Sequence, residues 1–348
     1  MKPPKRGLGK EIWRAAGVVL LGFLTFRPNA APGMNASVDS ALVCLVNQEY
    51  DAAREVVGAM LREDRRDPDA LYMLLTIHQT SLLDYESYAV EGHRFLQLAD
   101  SVLGILEDGL SQSRGVDSVK YLFYVGNIYG GKSVILAKCG NWFQAAREAL
   151  TSVSILKRVQ ELDSTFYAAY LGIGVFDYYL SQNLRWVPFM ADKSDEGLEA
   201  IELATRASFP FNYAAQNSLS WILIDRGEFA RADSVVDAVL SEFPDNTIFL
   251  RVKARIALWT HRYREAVAVS ARWAELSLKR NPVNWSDLLS AYQVIVASHL
   301  ERGDTAACLE SAADALAFEV PVAAKKISYV RKHLAYMRAI RKEYGDGH

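Results

Sequence analysis

Gly227-Glu228-Phe229-Ala230-Arg231-Ala232 is followed thirty-four residues later by His261-Arg262-Tyr263-Arg264-Glu265-Ala266. A turn residue, an aromatic side chain two places on and a small residue three further make a phrase. It echoes in Gln48-Glu49-Tyr50 to Ala53 and in Gly140-Asn141-Trp142 to Ala145, while Gly303-Asp304-Thr305 to Cys308 is a weaker copy. That period belongs to stacked helical pairs, so the chain is expected to be all-α.

With the turn residue at position fifteen of a repeat, position twenty reads Ala53, Ala145, Ala232, Ala266 and Cys308, all small. Twelve residues upstream of these, position eight reads Ala41, Ser133, Ser220 and Ala254, with Val296 the one bulky exception. Two antiparallel helices cross closely only where both lack large side chains, so the paired small residues mark crossing points. The aromatic at position seventeen is expected to fill the wedge beside each crossing. Pro244, at position thirty-two, ends a second helix because proline cannot continue one.

On these residues the chain resembles the tetratricopeptide repeat family. The resemblance is good over 213–280, as repeats 213–246 and 247–280, and partial over 34–68, 126–163 and 289–320. It implies an α-solenoid of antiparallel helix pairs coiled into a right-handed superhelix. Such a solenoid, read as one domain over 37–348, needs a terminal helix with a wet outer face. The segment 322–345 fits that cap, with Ile327, Val330, Leu334 and Met337 on one face and Lys325, Lys326, Arg331, Lys332, Arg338, Arg341 and Lys342 around the rest. A basic surface for acidic lipid or nucleic acid is the other reading of that helix.

A chain of 348 residues, 51% of them hydrophobic, can bury a large core. Its net charge of -2 argues against a whole-molecule nucleic-acid binder. The ten prolines leave long runs suited to helices, expected near 38–62, 69–83, 86–108, 117–139, 141–163 and 165–182. Further helices are expected near 194–207, 211–226, 228–243, 246–260, 263–280, 285–302 and 304–318.

Lys2, Lys5, Arg6, Lys10 and Arg14 precede an apolar run from Ala15 to Phe26, followed by Arg27-Pro28-Asn29-Ala30-Ala31-Pro32-Gly33. A basic head and a short apolar middle are the layout of a signal peptide or membrane anchor, here 1–31. The body is then exported, periplasmic or anchored to the outer face of the cytoplasmic membrane. Cys44, Cys139 and Cys308 are far apart, form no CxxC and each falls in a helical apolar pattern, so they read as small buried hydrophobes.

Gly126-Asn127-Ile128-Tyr129-Gly130-Gly131-Lys132-Ser133 satisfies the phosphate-loop pattern GxxxxGK[ST], and Trp221-Ile222-Leu223-Ile224-Asp225 looks like the strand that holds magnesium beside such a loop. A phosphate loop needs a parallel sheet around it, and the chain has no series of strands. The repeat register puts the same letters in helices. No HExxH or GxSxG occurs, and the six histidines are scattered. Asp192, Asp195 and Glu196 read as acids at a helix N-terminus, where the macrodipole favours them. No cofactor and no metal site are expected, and no catalytic residue is assigned.

The segment Tyr167 to Met190 is rich in aromatics, with Tyr170, Phe176, Tyr178, Tyr179, Trp186 and Phe189 around Gly172 and Gly174. Core packing is the favoured reading and ligand contact the other. Tyr170-Leu171-Gly172-Ile173-Gly174, Asp177-Tyr178-Tyr179 and Gly197-Leu198 are similar to a subgroup of bacterial exported repeat proteins of undefined role. The family resemblance implies a concave groove lined by Asn217, Trp221 and Asp225, then Arg251, Arg255 and Trp259, with Gln293 and Glu301 extending the row. Mixed charges beside two tryptophans suit an extended protein or peptide partner. The expected function is therefore a noncatalytic extracytoplasmic scaffold, with a small-ligand or nucleotide-binding protein using 126–133 or 167–190 as the alternative.

Overall fold

The computed structural model describes residues 36–184, 191–207 and 211–345, and every regular element among them is helical. They fall into two compact units. The first holds the described part of 36–83 and 91–222, and the second holds 84–90 and 223–345. The chain passes between them within three helices: α3 (Pro68–Asp84), α4 (Tyr88–Gln112) and α9 (Phe211–Asp225). The apolar run expected to be a signal peptide or anchor lies outside the described residues, as do Trp186 and Phe189. No helix among the described residues is long and apolar enough to cross a membrane.

The first unit also contains α1 (Ala36–Val46), α2 (Tyr50–Glu63), α5 (Val116–Lys138), α6 (Trp142–Leu162), α7 (Tyr167–Leu184) and α8 (Ser194–Ala204). Within it α1 packs on α2, α5 on α6, α6 on α7 and α7 on α8. The second unit contains α10 (Phe229–Glu242), α11 (Thr247–Trp259), α12 (Tyr263–Lys279), α13 (Trp285–Glu301), α14 (Thr305–Ala317) and α15 (Ser328–Gly345), each packed on the next. Consecutive antiparallel helices joined by tight turns are thus the building plan of both. The single helix expected over 38–62 is a correction: it is two, α1 and α2, broken at Gln48.

That break follows the rule that organises the chain. Position fifteen is left-handed in all five phrases, with φ of 64° at Gln48, 89° at Gly140, 77° at Gly227, 61° at His261 and 74° at Gly303. The next residue's N–H then donates to the carbonyl five residues back: Glu49 to Cys44 at 2.8 Å, Asn141 to Leu136 at 2.9 Å, Glu228 to Leu223 at 2.8 Å, Arg262 to Ala257 at 2.8 Å and Asp304 to His299 at 3.0 Å. This is the Schellman ending of a helix, which satisfies carbonyls that have no partner inside the helix. A residue with a Cβ is strained there by about 1–2 kcal/mol. Gly227→Ala is therefore expected to lower stability by about 1 kcal/mol with no new contact, since nothing lies within 4 Å of where its methyl would stand. His261→Gly is expected to raise it by several tenths, and opposite signs in urea melts are the check.

The small residues sit where the crossing argument needs them. Ala53, Ala232, Ala266 and Cys308 are wholly buried and Ala145 nearly so, while Ala41, Ser220, Ala254 and Val296 are also wholly buried. Ser133 at position eight donates from Oγ to the carbonyl of Ala145 at position twenty, 2.8 Å away, so the two positions touch directly. The wedge at position seventeen is less uniform. Tyr50 is buried, Phe229 and Tyr263 are half-buried, but Trp142 is 61% exposed.

In α7 and α8 the crossing is tighter still. A Cβ on Gly174 would lie 2.6 Å from the Gly197 carbonyl oxygen, and one on Gly197 would lie 2.6 Å from the Tyr178 nitrogen. Tyr178 and Tyr179 are buried beside this contact and stand edge to face, with ring centroids 5.2 Å apart. Of the aromatics of α7, Tyr178 and Tyr179 thus pack, while Tyr167, Tyr170 and Phe176 are half-buried.

The last helix starts later than expected. A single 3-10 turn, Ala324–Lys326, precedes α15, whose Val330, Leu334, Met337 and Ile340 pack into a core with Leu289, Val296, Cys308 and Ala312. Of the cysteines, Cys308 is buried, Cys44 is half-buried and Cys139 is exposed, which corrects the expectation for Cys139. It caps the C-terminus of α5, at the turn, with its sulfur beside Gly92 of α4.

Candidate functional site

The phosphate-loop lookalike is a stretch of α5. Residues 126–133 lie in the middle of a helix of 23 residues, so their amides are committed to the carbonyls one turn back and none can arch round a phosphate. The lysine is committed too. Lys132 Nζ lies 2.7 Å from Asp100 and 3.4 Å from Glu148, and its ammonium sits 5.2 Å from the Tyr129 ring centroid. The glycines serve packing: a Cβ on Gly126 would press on Leu156 at 3.0 Å, and one on Gly131 would strike Gln79 at 2.6 Å. Trp221 to Asp225 likewise end the helix α9. The nucleotide alternative through 126–133 is therefore without support. Lys132→Ala is expected to cost about 1–3 kcal/mol, because the buried Glu148 would keep only the exposed Arg147, 3.1 Å away, as its cation. ATP is expected to give the wild type no rise in melting temperature, which a thermal-shift titration checks.

The acids of 192–196 do what the helix requires. Asp192 accepts from the Ser194 N–H at 2.9 Å and from its Oγ at 2.6 Å, and Asp195 and Glu196 stand in the first turn of α8. A pocket in the first unit lined by Tyr72, Thr76, Gln79, Phe95 and Asn127 encloses about 10 Å³, room for one water molecule and not for a metabolite. Among the described residues no group of three or more His, Cys, Asp or Glu side chains could hold a metal ion.

The row implied by the family resemblance divides by depth. Asn217 and Trp221, in the first unit, are 2% and 4% exposed, and Arg251, in the second, is 7% exposed. Side chains that deep hold neighbours in place rather than meet a partner. Asp225, Arg255, Trp259 and Gln293 are half-buried, and Glu301 is exposed. Arg255 donates to Ser290 Oγ at 3.0 Å and its guanidinium lies 5.7 Å from the Trp273 ring centroid, which fixes it on α13 and α12. Trp259 leans on Phe229, with ring centroids 6.4 Å apart.

Beneath them the second unit carries a buried ionic network that the residue patterns do not announce. Arg251 donates to Asp287 at 3.2 Å, and the Trp273 indole donates to the other Asp287 oxygen at 3.0 Å. Asn284 caps α13, its Oδ1 accepting from the Asp287 N–H at 3.1 Å, and its amide donates to the Asp84 carbonyl at 3.1 Å. Arg280 donates to the Asp84 carboxylate at 2.6 Å and lies over the Tyr85 ring, whose hydroxyl donates to the Pro282 carbonyl at 3.0 Å. Burial pushes the Asp287 carboxyl up against the pull of Arg251, and the charge of Asp84 adds to the rise. Two arginines and two aspartates thereby balance and tie 84–90 into the second unit. The one sequence signal for this cluster was Asn284 three residues before Asp287, an N-cap spacing.

A second cluster braces α10, α11 and α12. Lys253 Nζ lies 2.8 Å from Asp233, 2.7 Å from Asp237 and 3.3 Å from Glu265, and Arg262 reaches Asp233 and Glu265. Burial alone would lower the Lys253 pKa, but its hydrogen bonds to Asp233 and Asp237 raise it. Such a cation is spoken for. Arg255, Trp259 and Gln293 remain half-exposed in this unit.

No protein-family model and no curated protein matches the sequence. Solved structures do match at low similarity. A tetratricopeptide repeat protein from Parabacteroides merdae is 11% identical over 86% of this chain and 98% of that one, with a TM-score of 0.37. The Cut9 and Hcn1 hetero-tetramer of APC/C matches at 13% over 96% of this chain and 79% of that one, TM-score 0.38. Yeast Tom70 matches at 13% over 97% and 73%, TM-score 0.38. Likeness at this level carries no inference about activity or partner, and the assignment of the fold rests on the repeated left-handed turns and small-residue crossings of the chain itself.

Proposed function

We propose that the chain is a noncatalytic scaffold that works outside the cytoplasm and holds a protein or peptide partner against Arg255, Trp259 and Gln293. The observation that carries this reading is the preorganised arginine. Ser290 and Trp273 hold a half-exposed guanidinium in place over the buried Arg251, Asp287 and Trp273 network, and Trp259 stands on the same helix one turn on. Arginine and tryptophan anchors that are already ordered lose little conformational entropy on binding and commonly dominate interface energies. A polar Gln293 on α13 suits the main chain of an extended peptide. The basic head and apolar run at 2–26 support the location.

The test is site-specific photo-crosslinking in cells that make the full chain. A crosslinker at position 293 is expected to give one saturable protein adduct that Arg255→Ala with Trp259→Ala weakens at least tenfold, while a crosslinker at the exposed position 264 of α12 gives none. An adduct unchanged by the double substitution would overturn the site. For location, protease added to osmotically opened cells is expected to degrade the chain. Protection until the cytoplasmic membrane is lysed would reject export.

A further inference from the structure

The outer face of α15 is dominated by cations, with Glu343 near its end as the exposed acid among the described residues of the helix. Between residues 325 and 342 the sequence has seven lysines and arginines and no aspartate or glutamate. All seven are exposed. Arg331 donates to the carbonyls of Lys325 and Lys326, which locks the start of the helix, but Lys325, Lys326, Arg338, Arg341 and Lys342 pair with no carboxylate among the described residues. Elsewhere in this unit several surface cations are matched, as Arg272 is, 2.7 Å from Asp245 and 2.8 Å from Glu275, and Arg226, 2.8 Å from Glu228, while Arg264 and Arg302 stand singly rather than in a cluster. A cap needs a wet outer face but not one with seven cations and a single acid, and ordinary solvated surfaces intersperse both signs. In a chain of net charge -2 this face is a local excess that capping does not account for.

We infer that the outer face of α15, with the 3-10 turn before it, docks on an anionic membrane surface, independently of the partner site proposed above. Clusters of four to eight basic residues on an amphipathic helix bind acidic headgroups, each worth about tenfold or less in partitioning and together enough for peripheral attachment. The geometry fits a plane rather than a groove. The inner face of α15 is committed to the core through Val330, Leu334, Met337 and Ile340, so the helix lies flat against its own unit. Between the cations stand the exposed Ala335 and Ala339, small residues that let headgroups approach, and Val322, 77% exposed, precedes the turn as an apolar contact. Tyr336 and Tyr344 are packed against the core and Tyr329 lies against the His333 ring, centroids 6.1 Å apart, so the described residues of the face offer no row of free aromatics of the kind on which single-stranded nucleic acid stacks. The basic head at 2–14 is itself drawn to acidic headgroups, so the share owed to α15 is read from substitutions in α15 and not from lipid charge alone.

The experiment is flotation of the full chain with vesicles of phosphatidylcholine alone and of phosphatidylcholine mixed with phosphatidylglycerol. The expected result is about tenfold or more extra binding to the anionic vesicles, an increment lost in high salt as the charges are screened. The five-fold variant Lys325→Gln, Lys326→Gln, Arg338→Gln, Arg341→Gln, Lys342→Gln should lose the larger part of the increment, the basic head keeping the rest, with binding to neutral vesicles unchanged. Arg338→Lys with Arg341→Lys should keep the increment, because headgroup attraction reads charge rather than guanidinium geometry. Equal binding of the wild type to both vesicles, or an increment that the five substitutions leave unchanged, would overturn the inference. So would tighter binding to duplex DNA or to an acidic polypeptide than to the anionic vesicles.

Discussion

Gly197→Ala is expected to destabilise the first unit by about 3 kcal/mol, with Gly174→Ala close behind. The methyl on Gly197 would meet backbone on two sides, the Tyr178 nitrogen at 2.6 Å and the Gly174 carbonyl oxygen at 2.8 Å. Backbone in the middle of two packed helices cannot rotate away as a side-chain tip can, so α7 and α8 must separate. Separation opens the contact around Tyr178, which is wholly buried. Gly104 supplies the control. It lies inside α4 with nothing within 4 Å of its Cβ position, so Gly104→Ala should gain up to about 1 kcal/mol from helix propensity alone. Urea denaturation of the three variants checks this, and equal midpoints for Gly197→Ala and Gly104→Ala would show that the close approach does not bear on stability.

What the sequence made legible is what repetition enforces. A left-handed position fifteen and small residues at eight and twenty recur because each helix pair meets the same steric problem. Gly227 and Ala266 could therefore be placed from the residue pattern alone. The same rule, applied to the glutamine in Gln48-Glu49-Tyr50, broke the expected helix over 38–62, because the turn tolerates a strained non-glycine. The phosphate-loop letters were readable as helix for the same reason: Ser133 holds position eight, and it does touch Ala145.

Features used once were not legible. Asp84 and Arg280 are separated by 196 residues, and nothing periodic links them. Trp273 and Asp287 meet because α12 and α13 pack at one particular rotation, which a residue pattern with period 3.6 does not fix. The implied groove shows the same limit. Family positions chose Arg251 and Arg255 alike, and only packing separates the arginine buried on Asp287 from the one held at the surface by Ser290.

That buried arginine sets the second large effect. Asp287→Ala is expected to cost about 3–5 kcal/mol at neutral pH, because Arg251 and the Trp273 indole would keep their burial and lose their acceptor. Replacing both members, Arg251→Met with Asp287→Leu, should recover most of that loss. The direction of the Asp287 shift says why. Burial pushes its pKa up to about 6 from an ordinary 3.8, so desolvation outweighs the attraction of Arg251. A carboxyl raised in this way binds its proton more tightly in the native state than in the unfolded chain. Its contribution to stability is therefore full below the ordinary value and is lost as pH rises through about 6. Asp287→Asn removes the titration while keeping an acceptor for the indole. The wild-type unfolding free energy minus that of Asp287→Asn should accordingly fall between about pH 4 and about pH 6 and level off above it. Urea melts across that interval give the difference directly, and a rise over the same range would mean that Arg251 attracts more than burial repels and that the double replacement should destabilise.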